Sequence, residues 1–80
     1  MEYNIYLGYK VYKNGNVENN KGVILKPQLK NGFSFYIINN RRFSCGAIVL
    51  LAFKIYPSKT MKIKRKDGNP LNNSLENLSW

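Results

Sequence analysis

The 80-residue sequence contains no histidine and only one cysteine, Cys45. Without histidine there is no imidazole to serve as a general base or as a metal ligand. One cysteine excludes an internal disulfide and any zinc site built from several thiolates, and a lone free thiol is typical of a reducing compartment. The composition therefore excludes most mechanisms of acid–base, nucleophilic and zinc catalysis.

Acidic residues are nearly as scarce. Asp and Glu number 4 against 13 Lys and Arg, which leaves a net charge of +9. The carboxylates lie far apart in the sequence, so a magnesium or calcium site has few oxygen ligands to draw on. We therefore predict neither a cofactor nor a bound metal. The positive excess favours polyanionic partners, with nucleic acid first.

Long hydrophobic runs are missing too. The longest, Ala47 to Phe53, is far shorter than the roughly 20 residues that a membrane-spanning helix needs. The polar first residues do not form a secretion signal. The sequence therefore predicts a cytoplasmic protein with no membrane partner. Hydrophobic residues make up 44% of the chain, enough for one core, so residues 1–80 are expected to form a single domain.

What is present divides the chain into three parts. Residues 1–44 contain short β-prone runs separated by Asn14-Gly15, Asn31-Gly32 and Asn39-Asn40. Asparagine and glycine tolerate the positive φ angles of hairpin turns, so this part is predicted to be an antiparallel meander of four or five strands.

Residues 45–57 are predicted to form a buried helix. Ser44 can cap its first turn, the body is rich in alanine and leucine, and Pro57 is expected to end it. Residues 58–80 are predicted to form a strand that begins at Met61, a turn-rich loop, and a return strand or short helical turn. The predicted fold class is therefore α+β.

The last residues of the sequence carry a specific motif. They comprise Lys66-Asp67-Gly68-Asn69, then Asn72-Asn73, Asn77-Leu78 and Trp80. This pattern resembles the HNH segment of homing endonucleases from phages and introns, and residues 8–27 are similar to the β-hairpin module that often precedes that segment. The resemblance implies a strand–loop–strand remnant of the ββα-metal motif and a nucleic-acid partner, DNA before RNA. It also implies a phage or mobile-element protein that acts in the cytoplasm of a host cell.

The sequence departs from that family at the positions that carry its chemistry. Where members have the histidine that activates water this sequence has Arg65, and Lys64 occupies the preceding position, which often holds a metal ligand. A guanidinium group cannot be a general base, and a lysine ammonium group repels a metal cation. The family also continues into a helix beyond the aromatic residue, whereas this sequence ends at Trp80. We therefore expect an HNH-like scaffold without nuclease activity.

Basic residues are the candidates for partner binding, because lysine and arginine neutralise phosphates. Four of them crowd into residues 62–66, and others lie nearer the N-terminus. The predicted binding residues are Lys62, Lys64, Arg65, Lys66, Arg41, Arg42, Lys10 and Lys13. The alternative is that these residues are solvated or guard strand edges.

Two further expectations concern the tail itself. Lys64 and Arg65 are expected to contribute little to stability, because exposed like charges repel each other. Asp67 and Asn77 are predicted to hold the loop of the tail together rather than to take part in catalysis.

Two functions fit this basic scaffold. The first is nucleic-acid binding by an inactive HNH-like protein. The alternative is a small phage-encoded inhibitor, such as an anti-CRISPR or other anti-defence protein, that binds a host nucleic-acid-handling complex. The positive charge excludes DNA mimicry by such an inhibitor but does not separate the two functions. Tyrosines at positions 3, 6, 9 and 12 either stack on a partner or fill a thin core.

Overall fold

The computed structural model describes residues 2–59 and 62–80, and the strands in those ranges pair antiparallel. The first sheet consists of β1 (Tyr3–Tyr6), β2 (Tyr9–Tyr12) and β3 (Val17–Glu18), and the second of β4 (Gln28–Lys30), β5 (Phe33–Ile38) and β6 (Arg41–Ser44). Helix α1 (Cys45–Ala52) follows directly. The tail contributes β7 (Lys64–Arg65), a 3₁₀ turn (Leu75–Asn77) and β8 (Leu78–Ser79). The α+β fold class is confirmed.

The predicted meander is antiparallel, as expected, but it is divided into two sheets. The strand orders are β1-β2-β3 and β4-β5-β6, and an irregular segment joins them, in which Ile24 makes an isolated bridge to Glu18. Pro27 lies immediately before β4 and has no backbone N–H to donate to a ladder. The division into two sheets lets the chain cover α1 from more than one side.

Two asparagine-rich turns have the expected geometry. Asn31 and Gly32 have φ angles of 52° and 80°, and Asn39 and Asn40 have φ angles of 52° and 63°. These pairs close the β4–β5 and β5–β6 hairpins as two-residue turns with positive φ at both positions. The strong β5 strand is therefore held in register from both ends.

The turns of the first sheet differ from the expectation. Between β2 and β3, the N–H of Tyr12 donates to the carbonyl of Asn16 at 2.9 Å, so the loop contains three residues and Gly15 takes a φ of 96°. The β1–β2 turn at Leu7 and Gly8 was not predicted, because leucine rarely adopts the φ of 55° that it has there.

Helix α1 supplies the centre of the hydrophobic core. It begins as predicted, because Ser44 Oγ accepts a hydrogen bond from the N–H of Ala47 at 3.5 Å. The helix is apolar on nearly all sides because both sheets and the tail cover it. In the described ranges, no helix is long and apolar enough to cross a membrane. The buried core comprises Val11, Val17, Tyr36, Ile38, Cys45, Ile48, Val49, Leu50, Ala52 and Leu78.

The helix ends at Ala52 and not at residue 57, which corrects the predicted boundary. Lys54 adopts a left-handed φ of 62°, and its N–H donates to the carbonyl of Leu51 at 3.0 Å. The N–H of Ile55 donates to the carbonyl of Leu50 at 2.9 Å. This pair of bonds is the Schellman arrangement that closes helices, usually with glycine at the left-handed position. A backbone reversal therefore ends the helix before Pro57 is reached.

The tail is a short ladder packed against the rest of the fold. Strands β7 and β8 pair as Lys64 with Ser79 and Arg65 with Leu78. The predicted start of the tail strand, Met61, lies outside the described residues. A Cβ atom on Gly46 of α1 would lie 2.9 Å from Ile63 Cγ2. The helix and the tail therefore approach as closely as their side chains allow.

Gly15 is where the β2–β3 loop touches the tail, and its replacement should be costly. A Cβ atom there would lie 2.5 Å from the carbonyl oxygen of Asn73, whereas a Cβ atom on Gly8 would meet nothing within 4 Å. Both glycines have positive φ, 96° and 81°, so both alanine variants carry backbone strain of about 1–2 kcal/mol. Gly15→Ala adds a steric clash of about 1–3 kcal/mol.

Urea unfolding of the two variants measures this difference. Gly15→Ala should lose about twice as much free energy of unfolding as Gly8→Ala. Equal losses would show that the contact with Asn73 does not constrain the fold.

Candidate nucleic-acid interface

A cleft opens where the second sheet, the start of α1 and the tail meet. Its volume is about 840 Å³, and its walls are mainly apolar with the cationic groups of Lys62 and Arg65 among them. We refer to it as the Arg65 cleft. Its lining consists of Gly32, Phe33, Ser34, Ser44, Ala47, Lys62, Ile63, Arg65, Gly68, Pro70 and Trp80.

Arg65 points into the molecule and is held by a polar network. Because Arg65 pairs with the buried Leu78 across the β7–β8 ladder, its side chain lies on the inner side. Its Nη2 donates to Ser34 Oγ at 3.4 Å and to Asn73 Oδ1. Ser34 Oγ donates in turn to the carbonyl of Pro70 at 2.6 Å. The guanidinium group thus links β7 to β5 and to the loop of the tail.

The electrostatics of Arg65 follow from this position. Burial lowers the pKa of Arg65 from its ordinary value, but a guanidinium group keeps its proton at neutral pH. Its Nε is buried and has no hydrogen-bond partner among the described residues. The expectation that Arg65 adds little to stability assumed an exposed side chain, and that assumption is wrong, because the side chain is half-buried and bonded to two buried residues.

The neighbouring lysines have the opposite orientation. Lys62, Lys64 and Lys66 are exposed, while Ile63 and Arg65 between them are partly buried. The basic cluster is therefore split into three exposed lysines and one partly buried arginine. Of the three lysines, Lys62 lines the Arg65 cleft.

Asparagine side chains hold the loop of the tail. Asp67 Oδ1 accepts hydrogen bonds from the N–H of Asn69 at 2.8 Å and from Asn77 Nδ2 at 3.0 Å, and Oδ2 accepts from Asn72 Nδ2 at 2.7 Å. Asn77 Oδ1 accepts from the N–H of Asp67 at 3.1 Å. These bonds lower the pKa of Asp67, with the bond from Asn72 the main cause. Both Asp67 and Asn77 are engaged in bonds within the loop.

The other predicted binding residues are distributed over the two sheets. Arg41 and Arg42 are exposed on β6, and the guanidinium carbon of Arg42 lies 4.7 Å from the centre of the Phe35 ring. Lys10 lies over the Tyr3 ring at 5.0 Å, and Lys13 forms an ion pair with Glu2 at 2.6 Å. Lys10 and Lys13 belong to the first sheet and its loop, and neither lines the Arg65 cleft.

The tyrosines of the first sheet divide between its two faces. Tyr3 and Tyr12 pair on the outer face with ring centres 5.5 Å apart, whereas Tyr6 and Tyr9 pack against the core. The hydroxyl of Tyr12 donates to Glu18 at 2.9 Å, and this bond raises the pKa of Tyr12. The core-filling alternative therefore holds for Tyr6 and Tyr9, and stacking of Tyr3 or Tyr12 on a partner stays a prediction.

Sequence reasoning missed several residues of the cleft. Phe33 is 72% exposed at its rim, and the buried Ser34 and Asn73 bind Arg65. Alternation along β5 could have placed Phe33 and Ser34 on opposite faces. No local signal links Ser34 to Arg65, since they lie 31 residues apart.

The residues of the cleft do not fit a metal ion of the kind that the ββα-metal motif holds. The charged groups that line it are cationic, and both oxygens of the nearby Asp67 accept hydrogen bonds from loop asparagines. Among the described residues, no three Cys, Asp or Glu side chains lie close enough together to share a cation. A divalent cation would meet repulsion here instead of oxygen ligands.

Comparison with known proteins gave one curated relative and one solved structure. The chain is 32% identical over 81 residues to an uncharacterised HNH endonuclease of Acanthamoeba polyphaga mimivirus. It is also similar to the HNH homing endonuclease I-HmuI, in a structure concerned with DNA binding and cleavage, with a TM-score of 0.79 and 29% identity. No protein-family model matches the sequence.

The similarity covers nearly all of this chain but only part of each relative. The matched region is 95% of this chain and 24% of the mimivirus protein, and 100% of this chain and 52% of the I-HmuI chain. The resemblance to HNH homing endonucleases drawn from the tail motif is confirmed.

The position of Arg65 generates a prediction that separates it from its neighbour Lys64. Arg65→Ala should lower the free energy of unfolding by about 1–3 kcal/mol, because Asn73 Oδ1 and Ser34 Oγ lose a charged donor in a buried setting. Lys64→Ala removes the same charge from an exposed site and should stay within about 0.5 kcal/mol of the unmodified protein. Urea unfolding measures both, and equal losses would contradict the network.

Proposed function

The chain is HNH homing-endonuclease-like across its length, and from that premise we propose that it binds nucleic acid, DNA before RNA, and does not cut it. The observation that carries the proposal is the position of Arg65. This residue occupies the position of the family's histidine, and its guanidinium group lies in the wall of the Arg65 cleft, tied to Ser34 and Asn73.

The binding part of the proposal rests on charge. The chain carries a net charge of +9, and the cleft is lined by Arg65 and Lys62 with Lys64 and Lys66 exposed on the same strand region. A fixed positive charge in a partly buried setting attracts a phosphate more strongly than one in bulk water does. The related I-HmuI binds DNA, which supports nucleic acid as the partner class.

The inactive part rests on the residues that hydrolysis would need. A water molecule must lose a proton to attack a phosphodiester, and the protonated guanidinium group of Arg65 cannot accept one. Nor do the mainly apolar walls of the cleft, whose charged residues are Lys62 and Arg65, provide carboxylate ligands for a divalent cation that could acidify water. The described residues of the cleft can therefore hold a phosphate but include no group that would activate a water molecule to attack it.

A nicking assay tests the inactive part. Supercoiled plasmid incubated with the protein and either Mg²⁺ or Mn²⁺ should remain supercoiled, because the described residues of the cleft provide neither a general base nor a metal site. A metal-dependent nick that disappears in the Arg65→Ala variant would contradict the proposal. The Lys64→Ala variant is the control for loss of charge alone.

A salt titration tests the binding part. The logarithm of the association constant for duplex DNA should fall linearly with the logarithm of salt concentration, with a slope of about −0.9 per phosphate neutralised. Replacing Lys64 and Lys66 together by alanine should reduce that slope by about one to two units with little change in sequence preference. The matched control replaces Lys21 and Lys26, exposed between β3 and β4. Equal effects of both pairs would mean that net charge alone governs binding.

The inhibitor of a host defence complex stays an alternative prediction. A pull-down from host lysate with and without nuclease treatment separates it from nucleic-acid binding. Loss of every partner after nuclease treatment supports the proposal. A protein partner that stays bound at stoichiometric amounts after the treatment would favour the inhibitor function instead.

A further inference from the structure

The second sheet exposes an aromatic and cationic face on the side away from the core. Because side chains alternate along β5, Ser34, Tyr36 and Ile38 are buried at 3%, 4% and 2% exposure. Phe33 and Ile37 point the other way and are 72% and 49% exposed, whereas Phe35 between them is only 8% exposed, with the Arg42 guanidinium group over its ring. Phe33 is the most exposed of the large hydrophobic residues that the structure describes, and its ring is therefore accessible to a ligand.

Cations lie beside these rings on the same face. Lys30 is paired directly with Phe33 across the β4–β5 ladder, and Arg42 is paired with Ile37 across the β5–β6 ladder. The Arg42 guanidinium group also covers the Phe35 ring. No Asp or Glu occurs between Glu18 and Asp67 in the sequence, so these three strands carry no negative side chain. We refer to Lys30, Phe33, Phe35, Ile37 and Arg42 as the outer face.

The outer face is continuous with the Arg65 cleft. A second depression of about 500 Å³ is lined by Lys30, Phe33, Phe35 and Arg42 among others. Phe33 and Ser34 line both this depression and the cleft, so the Phe33 ring stands between them. The turn at Asn31 and Gly32 fixes Phe33 at the base of a tight hairpin. A ligand that contacts Phe33 therefore lies beside both the depression that Arg42 lines and the cleft that Arg65 lines.

From this arrangement we propose that the outer face binds unpaired nucleobases, with Phe33 as the stacking platform and Lys30 and Arg42 on the flanking phosphates. In a duplex the base faces are covered by neighbouring bases, so an exposed ring gains little from it, whereas unpaired bases offer their faces to aromatic side chains. The depression is large enough for one nucleotide. The proposal rests on the proposed nucleic-acid binding and names single-stranded nucleic acid as the preferred class.

Fluorescence anisotropy with labelled oligonucleotides tests this inference. Single-stranded oligo-dT and oligo-U of about 12 nucleotides and a duplex of the same length serve as probes. Phe33→Ala should weaken single-strand binding by about 5- to 150-fold and leave duplex binding within about two-fold. Phe33→Tyr should retain single-strand binding, since it keeps an aromatic ring. The DNA and RNA arms show which backbone is preferred.

The control variant is Ile5→Ala, which truncates a 60% exposed apolar residue on the first sheet and should change neither affinity. Unaltered single-strand binding by Phe33→Ala, or an equal loss for single strands and duplex, overturns the stacking role while salt-dependent duplex binding keeps the proposed function intact. If no probe binds, both proposals fail. Loss of a protein partner in Phe33→Ala, with nucleic-acid binding unchanged, assigns the outer face to a protein interface and also overturns the inference.

Discussion

The hydrogen bonds of the Arg65 guanidinium group to Ser34 and Asn73 are the interaction on which the arrangement of the tail depends. They join β7, the second sheet and the loop of the tail at one point beside the start of α1. A guanidinium group that is partly removed from water needs hydrogen-bond acceptors, and the buried Ser34 and Asn73 supply them to the tail at this point. Gly46 of α1 leaves the space that this requires, since a Cβ atom there would lie 3.3 Å from Arg65 Nη2.

The same constraint shapes the surface above it. Because Arg65 turns inward, β7 presents Lys64 outward, and the basic cluster is divided between solvent and cleft. The second sheet then brings the exposed ring of Phe33 to the rim of the cleft. A polyanion with aromatic bases could be contacted by fixed charge on one side and by a hydrophobic ring on the other, which are two independent sources of affinity.

The relation to HNH homing endonucleases illustrates that a scaffold and its chemistry are separable. Hydrogen bonds among Asp67, Asn72 and Asn77 hold the loop of the tail together and need no metal. Arg65, which the tail motif aligns with the family's histidine, donates hydrogen bonds to that same loop and to the second sheet. Under the proposed function, an arginine at this position supplies a permanent hydrogen-bond donor where catalysis would need a proton acceptor.

Local chemistry determined much of this protein. Two hairpins were specified by Asn31-Gly32 and Asn39-Asn40, because these residues tolerate positive φ angles. Ser44 specified the start of α1. The motif from Lys66 to Trp80 identified the family that the tail resembles. Tertiary structure alone decided the rest. The left-handed conformation of Lys54 ended the helix, and the strands formed two separate sheets instead of a single meander. The Arg65 side chain points inward and bonds to Ser34 and Asn73, which lie 31 and 8 residues away in the sequence. The reason is physical: turn and cap preferences act between neighbours in sequence, whereas the burial of a charged group depends on which distant acceptors the folded chain brings to it.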